Sequence, residues 1–147
     1  MTDTTESQDA SATTATAGDI PIAFVDSSAI VALVDRSDAV HQAAREAYEG
    51  LVAEGYRLFT TNHVLSEALD LLTNVVGAEA ARQFLRDQRL PIYHVDEQDE
   101  QRAIALIASS RSTVGLTFAD ATSLIVMEKF GVADAFAVDP NFLSEAS

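Results

Sequence analysis

Four acids fall where a fold could gather them: Asp26, Glu67, Asp120 and Asp139. Asp26 directly follows the apolar run IAFV. Asp139 directly follows AFAV, and Pro140 behind it biases it toward extended backbone and ends the run. Glu67 shares a helical face with Val64 and Leu71, so it is expected within a core-directed stripe, whereas Asp70 groups with Ser66, Thr73 and Asn74 and is expected at the surface. Asp120 stands near the start of FADATSLIVMEKF, with Leu124 and Met127 following on its face. Three of these acids, taken alone, have an ordinary explanation. Asp26 can cap a helix that opens at Ser27, Asp139 can serve a turn, and Asp120 can stabilise the positive end of a helix by a few tenths to about 1 kcal/mol. Four carboxylates at one place, however, repel one another strongly without a cation. A hard divalent ion, magnesium or manganese, accounts for the set better than four coincidences. Such sites activate water and stabilise the attacking and leaving oxygens when a phosphodiester is hydrolysed by in-line displacement.

Positioning these acids falls to short apolar runs alternating with helical patterns. IAFV (22–25), RLFT (57–60), PIYHV (91–95) and AFAV (135–138) are the expected strands. Val40, Ala43, Ala44, Ala47, Tyr48 and Leu51 recur at helical spacing after the cap candidates Ser37 and Asp38, and Gly55 closes that helix. Asn62 to Thr73 and Ala78 to Gln88 form a helical region interrupted at Gly77. Asp96 caps a helix carrying Ala103, Ile104, Ile107 and Ala108, and a last helix runs from about Phe118 to Phe130 with Gly131 as its stop. Strands apolar through most of their length and separated by helices imply a parallel sheet covered on both faces, a doubly wound α/β layer. In such sheets ligands bind outside the carboxyl ends of the strands, the edge at which Asp26 and Asp139 fall.

The 147 residues fit one domain, and a hydrophobic fraction of 48% suffices for a core. Residues 1–19 carry Thr, Ser, Ala and acid with almost nothing to bury. They are expected as a disordered acidic tail before a single domain over 20–147. The chain has no cysteine, which excludes a disulfide framework and a thiolate zinc site and makes a reducing cytoplasm the simplest home. No stretch reads as a secretory signal or a membrane span. The net charge of −14, from 23 acidic and nine basic residues, would repel a phosphate backbone in dilute buffer. At about 1 M salt the Debye length is only ~3 Å, and the objection weakens. Acid excess with Lys129 as the only lysine is what a halophile's cytoplasmic protein is expected to show.

The segments FVDSSAIVALVDRSDAVHQAA, TTNHVLSEALDLL and LTFADATSLIVMEKFGVADAFAVDPNF together resemble the PIN-domain nucleases, particularly the VapC-type toxins of toxin–antitoxin pairs. The resemblance runs from about Ile22 to Phe142 and implies a three-layer α/β/α fold around a parallel sheet of four or five strands. It implies that Asp26, Glu67 and Asp120 bind the metal and that Asp139 completes the site. Ser27 and Thr117, with Asn62 next, are the polar helpers it suggests. Implied function is a Mg2+- or Mn2+-dependent endoribonuclease, with RNA as substrate and a cognate antitoxin and a homodimer as the further partners to look for. Family members often carry a charged residue just after the fourth acid, where this chain has Pro140. Two other readings stay open: an RNA-processing PIN nuclease without an antitoxin, and a PIN-like scaffold that binds a partner without cutting. An aspartyl phosphatase would want an acid at position 28, which is Ser, and a phosphoacceptor receiver would want a lysine nearer the site than Lys129. His41 and His63 are expected at the surface or in local hydrogen bonds, and His94 as a structural residue alternating with Tyr93 and Val95 in a strand.

Overall fold

Strands and helices alternate along the chain in the computed structural model, which describes residues 19–110 and 115–138. Among these residues the order is β1 (Ile22–Val25), α1 (Ser27–Val34), α2 (His41–Ala53), β2 (Arg57–Thr61), α3 (Asn62–Val75) and α4 (Ala78–Asp87). There follow β3 (Ile92–Tyr93), α5 (Glu97–Ser109), α6 (Phe118–Phe130) and β4 (Asp134–Phe136). Residues 1–18, within the expected tail, and Asp139 lie outside the described residues. No helix among the described residues is long and apolar enough to cross a membrane.

All four strands are parallel and lie in the order β3-β2-β1-β4, with Phe24 opposite Phe59, Val25 opposite Phe136 and Thr61 opposite Tyr93. The chain steps outward from β1 to β2 and β3, then crosses back to the other side of β1 for β4. The direction of winding therefore reverses at β1, and Asp26 follows its last residue. Right-handed crossovers place α1 to α4 on one face and α5 and α6 on the other, giving three layers. α1 packs on α2 and α3, α3 on α4, and α5 on α6. Phe24, Ile30, Val64 and Leu72 are fully buried in the main core, where Phe24 and Phe59 meet edge to face at 5.4 Å. Ala103, Ala121 and Ile125 form a second small cluster between α5 and α6.

Several elements differ from the sequence expectation, each for a local reason. β3 is two residues long instead of five, because Val95 donates its N–H to Asn62 Oδ1 (2.9 Å) and turns the chain toward α5. His94 is therefore an exposed loop residue and does not alternate in a strand. α5 starts at the expected cap, Asp96, whose carboxylate accepts from Asp99 N (2.8 Å) while Asp99 accepts from Asp96 N (3.2 Å). Neither Ser37 nor Asp38 caps α2. Asp38 accepts from Val40 N (2.9 Å) and Asp35 accepts from Ser37 N (3.1 Å), so two aspartate turns consume the cap candidates before the helix opens at His41. β4 ends at Phe136, since Val138 donates its N–H to Ser28 Oγ (3.0 Å) instead of to the sheet. The breaks at Gly77 (φ 138°) and Gly131 (φ 65°) hold, in backbone conformations that favour glycine.

Candidate active site

Three carboxylates from distant parts of the chain converge at the carboxyl edge of the sheet. Asp26, Glu67 and Asp120 each offer one oxygen, and these lie within 4.8 Å of one another. Asp26 is buried and continues the pairing of β1 with β4 by donating its N–H to Phe136 O (3.0 Å). Its side chain also caps α1, with Oδ2 accepting from Ser28 N (3.1 Å) and Ser28 Oγ (2.7 Å). Capping and ligation do not compete, because a carboxylate has two oxygens and about four lone-pair directions.

Glu67 arrives on the second turn of α3. Its position differs from the expectation: the buried stripe of α3 is Val64, Ala68 and Leu72, whereas Leu71 is 39% exposed, so Glu67 and Leu71 lie on the flank. That flank faces α1, and Ser27 Oγ donates to Glu67 Oε1 at 2.6 Å. Thr61 fixes the start of α3 by accepting from Val64 N (3.1 Å), and the buried Thr60 hydroxyl ties β2 to β1 by donating to Val25 O (2.8 Å). Asp120 sits in the first turn of α6, where Thr117 Oγ1 accepts from Asp120 N at 3.0 Å. Each acid therefore enters through a polar cap at the start of a helix.

Like charge at this spacing is costly: two carboxylates ~4 Å apart repel by about 4 kcal/mol at an effective dielectric of ~20. Asp120 registers the strain. Burial first, with the negative charges of Asp26 and Glu67 adding to it, pushes its pKa up to about 6, against the opposing hydrogen bonds from Thr117. The donor set suits a hard cation. Magnesium and manganese prefer oxygen ligands, and these three carboxylates could supply them.

Of the polar helpers expected from sequence, Ser27 reaches Glu67 and Thr117 caps the helix of Asp120. Asn62 is committed elsewhere, accepting from Val95 N at the β3–α5 turn. Ser28 was missed. Its hydroxyl donates to Asp26 and accepts from Val138 N, joining the first acid to the residue that precedes Asp139. The signal was present in the Asp-Ser-Ser run, since the second residue of a helix is where a capping aspartate finds its partner.

A parallel sheet reversing its winding at β1, with a carboxylate triad at that point, defines a class. The chain belongs to the PIN domain family, whose model matches residues 23–144. Over 122 residues it is 32% identical to the 23S rRNA-specific endonuclease VapC20 of Mycobacterium tuberculosis (strain CDC 1551 / Oshkosh), a match covering 81% of this chain and 90% of that protein. VapC20 of strain ATCC 25618 / H37Rv matches to the same extent, at 32% identity over 122 residues. The crystal structure of M. tuberculosis VapC20, a Sarcin-Ricin loop cleaving toxin, superposes with a TM-score of 0.72 at 32% identity, covering 84% of this chain and 94% of that one.

Proposed function

We propose that this chain is a metal-dependent endoribonuclease and the toxin of a toxin–antitoxin pair. Asp26, Glu67 and Asp120 would hold Mg2+ or Mn2+, and Asp139 would complete the site. The observation that carries the reading is the convergence of the three carboxylates to within 4.8 Å in a chain 32% identical to a ribosomal-RNA endonuclease. When bound, the divalent ion supplies positive charge to activate water and to offset the charge that builds on the phosphate oxygens.

The chain's own residues then have separate tasks. Ser27 holds one oxygen of Glu67 and Ser28 holds one oxygen of Asp26, which would fix the orientation of both carboxylates toward the cation. Asp120, whose pKa is pushed up to about 6, would have to be deprotonated to hold the cation, so metal binding should weaken as the pH falls through that range. Support for Asp139 is its neighbour Val138, tied to the serine that holds Asp26. The acid excess and the scarcity of lysine support a salt-rich cytoplasm, in which screening lets RNA approach an acidic surface, and the lack of cysteine suits a reducing one.

The test is incubation of end-labelled RNA with the purified protein in concentrated potassium chloride containing magnesium or manganese. Discrete internal fragments are expected, and intact RNA would refute the reading. The toxin assignment has its own test: a small protein encoded beside this gene should co-purify with the chain and suppress the cleavage.

A further inference from the structure

Where α3 and α6 meet, two pairs of side chains are brought together near the carboxyl edge. Glu67 and Asp120 form the acidic pair, and His63 and Phe118 form an aromatic one, with ring centroids 5.1 Å apart and planes at 76°. His63 precedes Glu67 by one helical turn on the same side of α3, about 6 Å along the axis, and Phe118 is the first residue of α6, two before Asp120. Both rings therefore lie N-terminal to the acids on helices whose N-termini sit at the carboxyl edge, which puts them at the rim of the site. We propose that His63 and Phe118 form a stacking platform for the RNA base next to the phosphate that is cut. This rests on the ribonuclease reading above and adds a nucleobase subsite to it.

Three observations carry the proposal. Phe118 is 37% exposed, unlike the fully buried Phe24, so more than packing α3 against α6 is open to it. An edge-to-face contact occupies at most one face of one ring, which leaves aromatic surface for a third partner. His63 is held in place from outside, with its Nε2 3.0 Å from Glu100 Oε2 on α5, so the platform is ordered before substrate arrives. Charge adds a reason for stacking to matter. A chain of net charge −14 cannot draw RNA by a general basic field, whereas base stacking on an aromatic ring works without net charge and tolerates any base.

The experiment compares the parent, Phe118→Leu and Phe118→Tyr on one single-stranded RNA, and on versions of it with an abasic site moved through the positions flanking the cut. Leucine keeps apolar volume and loses the ring, and tyrosine keeps the ring. Phe118→Leu should melt at the parent's temperature and lose roughly tenfold in kcat/KM, while Phe118→Tyr stays near the parent. In the parent, one flanking abasic site should cost a similar factor, and in Phe118→Leu that same site should cost almost nothing more. Phe118→Leu matching the parent, or an abasic penalty that multiplies independently in the two proteins, would overturn the platform and leave the ribonuclease reading standing. Should Phe118→Leu fail to fold, the parent's abasic scan decides, a flat scan being the contrary result. A parent that cuts no RNA sinks the ribonuclease reading and this inference with it.

Discussion

Replacing Asp120 with Asn tests whether the three carboxylates strain one another in the metal-free protein. Asp120 is held near pKa 6 in the folded chain, whereas an unfolded aspartate titrates near 3.9. The folded state thus binds the proton more tightly, and metal-free stability falls as pH rises from about 4 to about 6. The loss is complete above about pH 7. Two pH units correspond to about 3 kcal/mol if the group were fully shielded. Asp120 is only partly buried, so screening reduces this to about 1.5 kcal/mol. For a domain of this size that is a change of about 5 °C in melting temperature. Asparagine keeps the shape and cannot ionise. Melting curves of parent and Asp120→Asn, recorded from pH 4 to 8 in EDTA at one fixed salt concentration, isolate the effect as a difference. The parent should lose about 5 °C relative to the variant across the window, and the variant should be the more stable at pH 7.5. A difference that stays flat with pH would show that Asp120 feels neither burial nor its acidic neighbours, and the strained-site argument would fail.

Asp26→Asn should reduce RNA cleavage at least a hundredfold in gel assays while leaving the metal-free protein as stable as the parent or more so. It should also shrink the rise in melting temperature on adding manganese, because stabilisation by a ligand tracks its affinity for the folded state. Ser28→Ala removes the hydroxyl joining Asp26 to Val138 and should cost about 1 kcal/mol in urea unfolding. It should also slow cleavage severalfold, and unchanged cleavage would mean that Asp26 needs no such support. Deleting residues 1–18, which offer almost nothing to bury, should leave melting temperature and cleavage unchanged. A clear loss of stability in the truncated chain would show that the tail packs on the domain.

Much of this site could be read from local sequence because its parts are local signals. Asp26 follows an apolar strand run and begins a helix, which fixes both its edge and its capping role. Gly131 ends α6 and Asp96 opens α5 for the same kind of reason. What escaped depends on partners far along the chain. The run from Pro91 to Val95 reads as a five-residue strand, but a hydrogen bond from Val95 to Asn62, 33 residues away, cuts that strand short. Periodicity placed Glu67 in the buried stripe of α3, and it lies one step to the side because Ser27, 40 residues earlier, receives it there. The pairing of His63 with Glu100 and Phe118 is equally invisible to spacing, since it joins three helices. Competing short-range signals account for the remaining error: Asp35, Ser37 and Asp38 satisfy one another and their neighbours in turns, so none is left to cap α2.

If one cation site built from Asp26, Glu67 and Asp120 cuts RNA, the cleavage rate must follow the metal as it is removed and returned. In concentrated potassium chloride the protein should cut RNA with magnesium or manganese, stop in excess EDTA, and recover when manganese is added beyond the chelator. The recovered rate should fall as pH drops below about 6, where Asp120 holds its proton against the cation. Undiminished cleavage in excess EDTA would contradict the account, because the three carboxylates would then be doing something other than holding a metal.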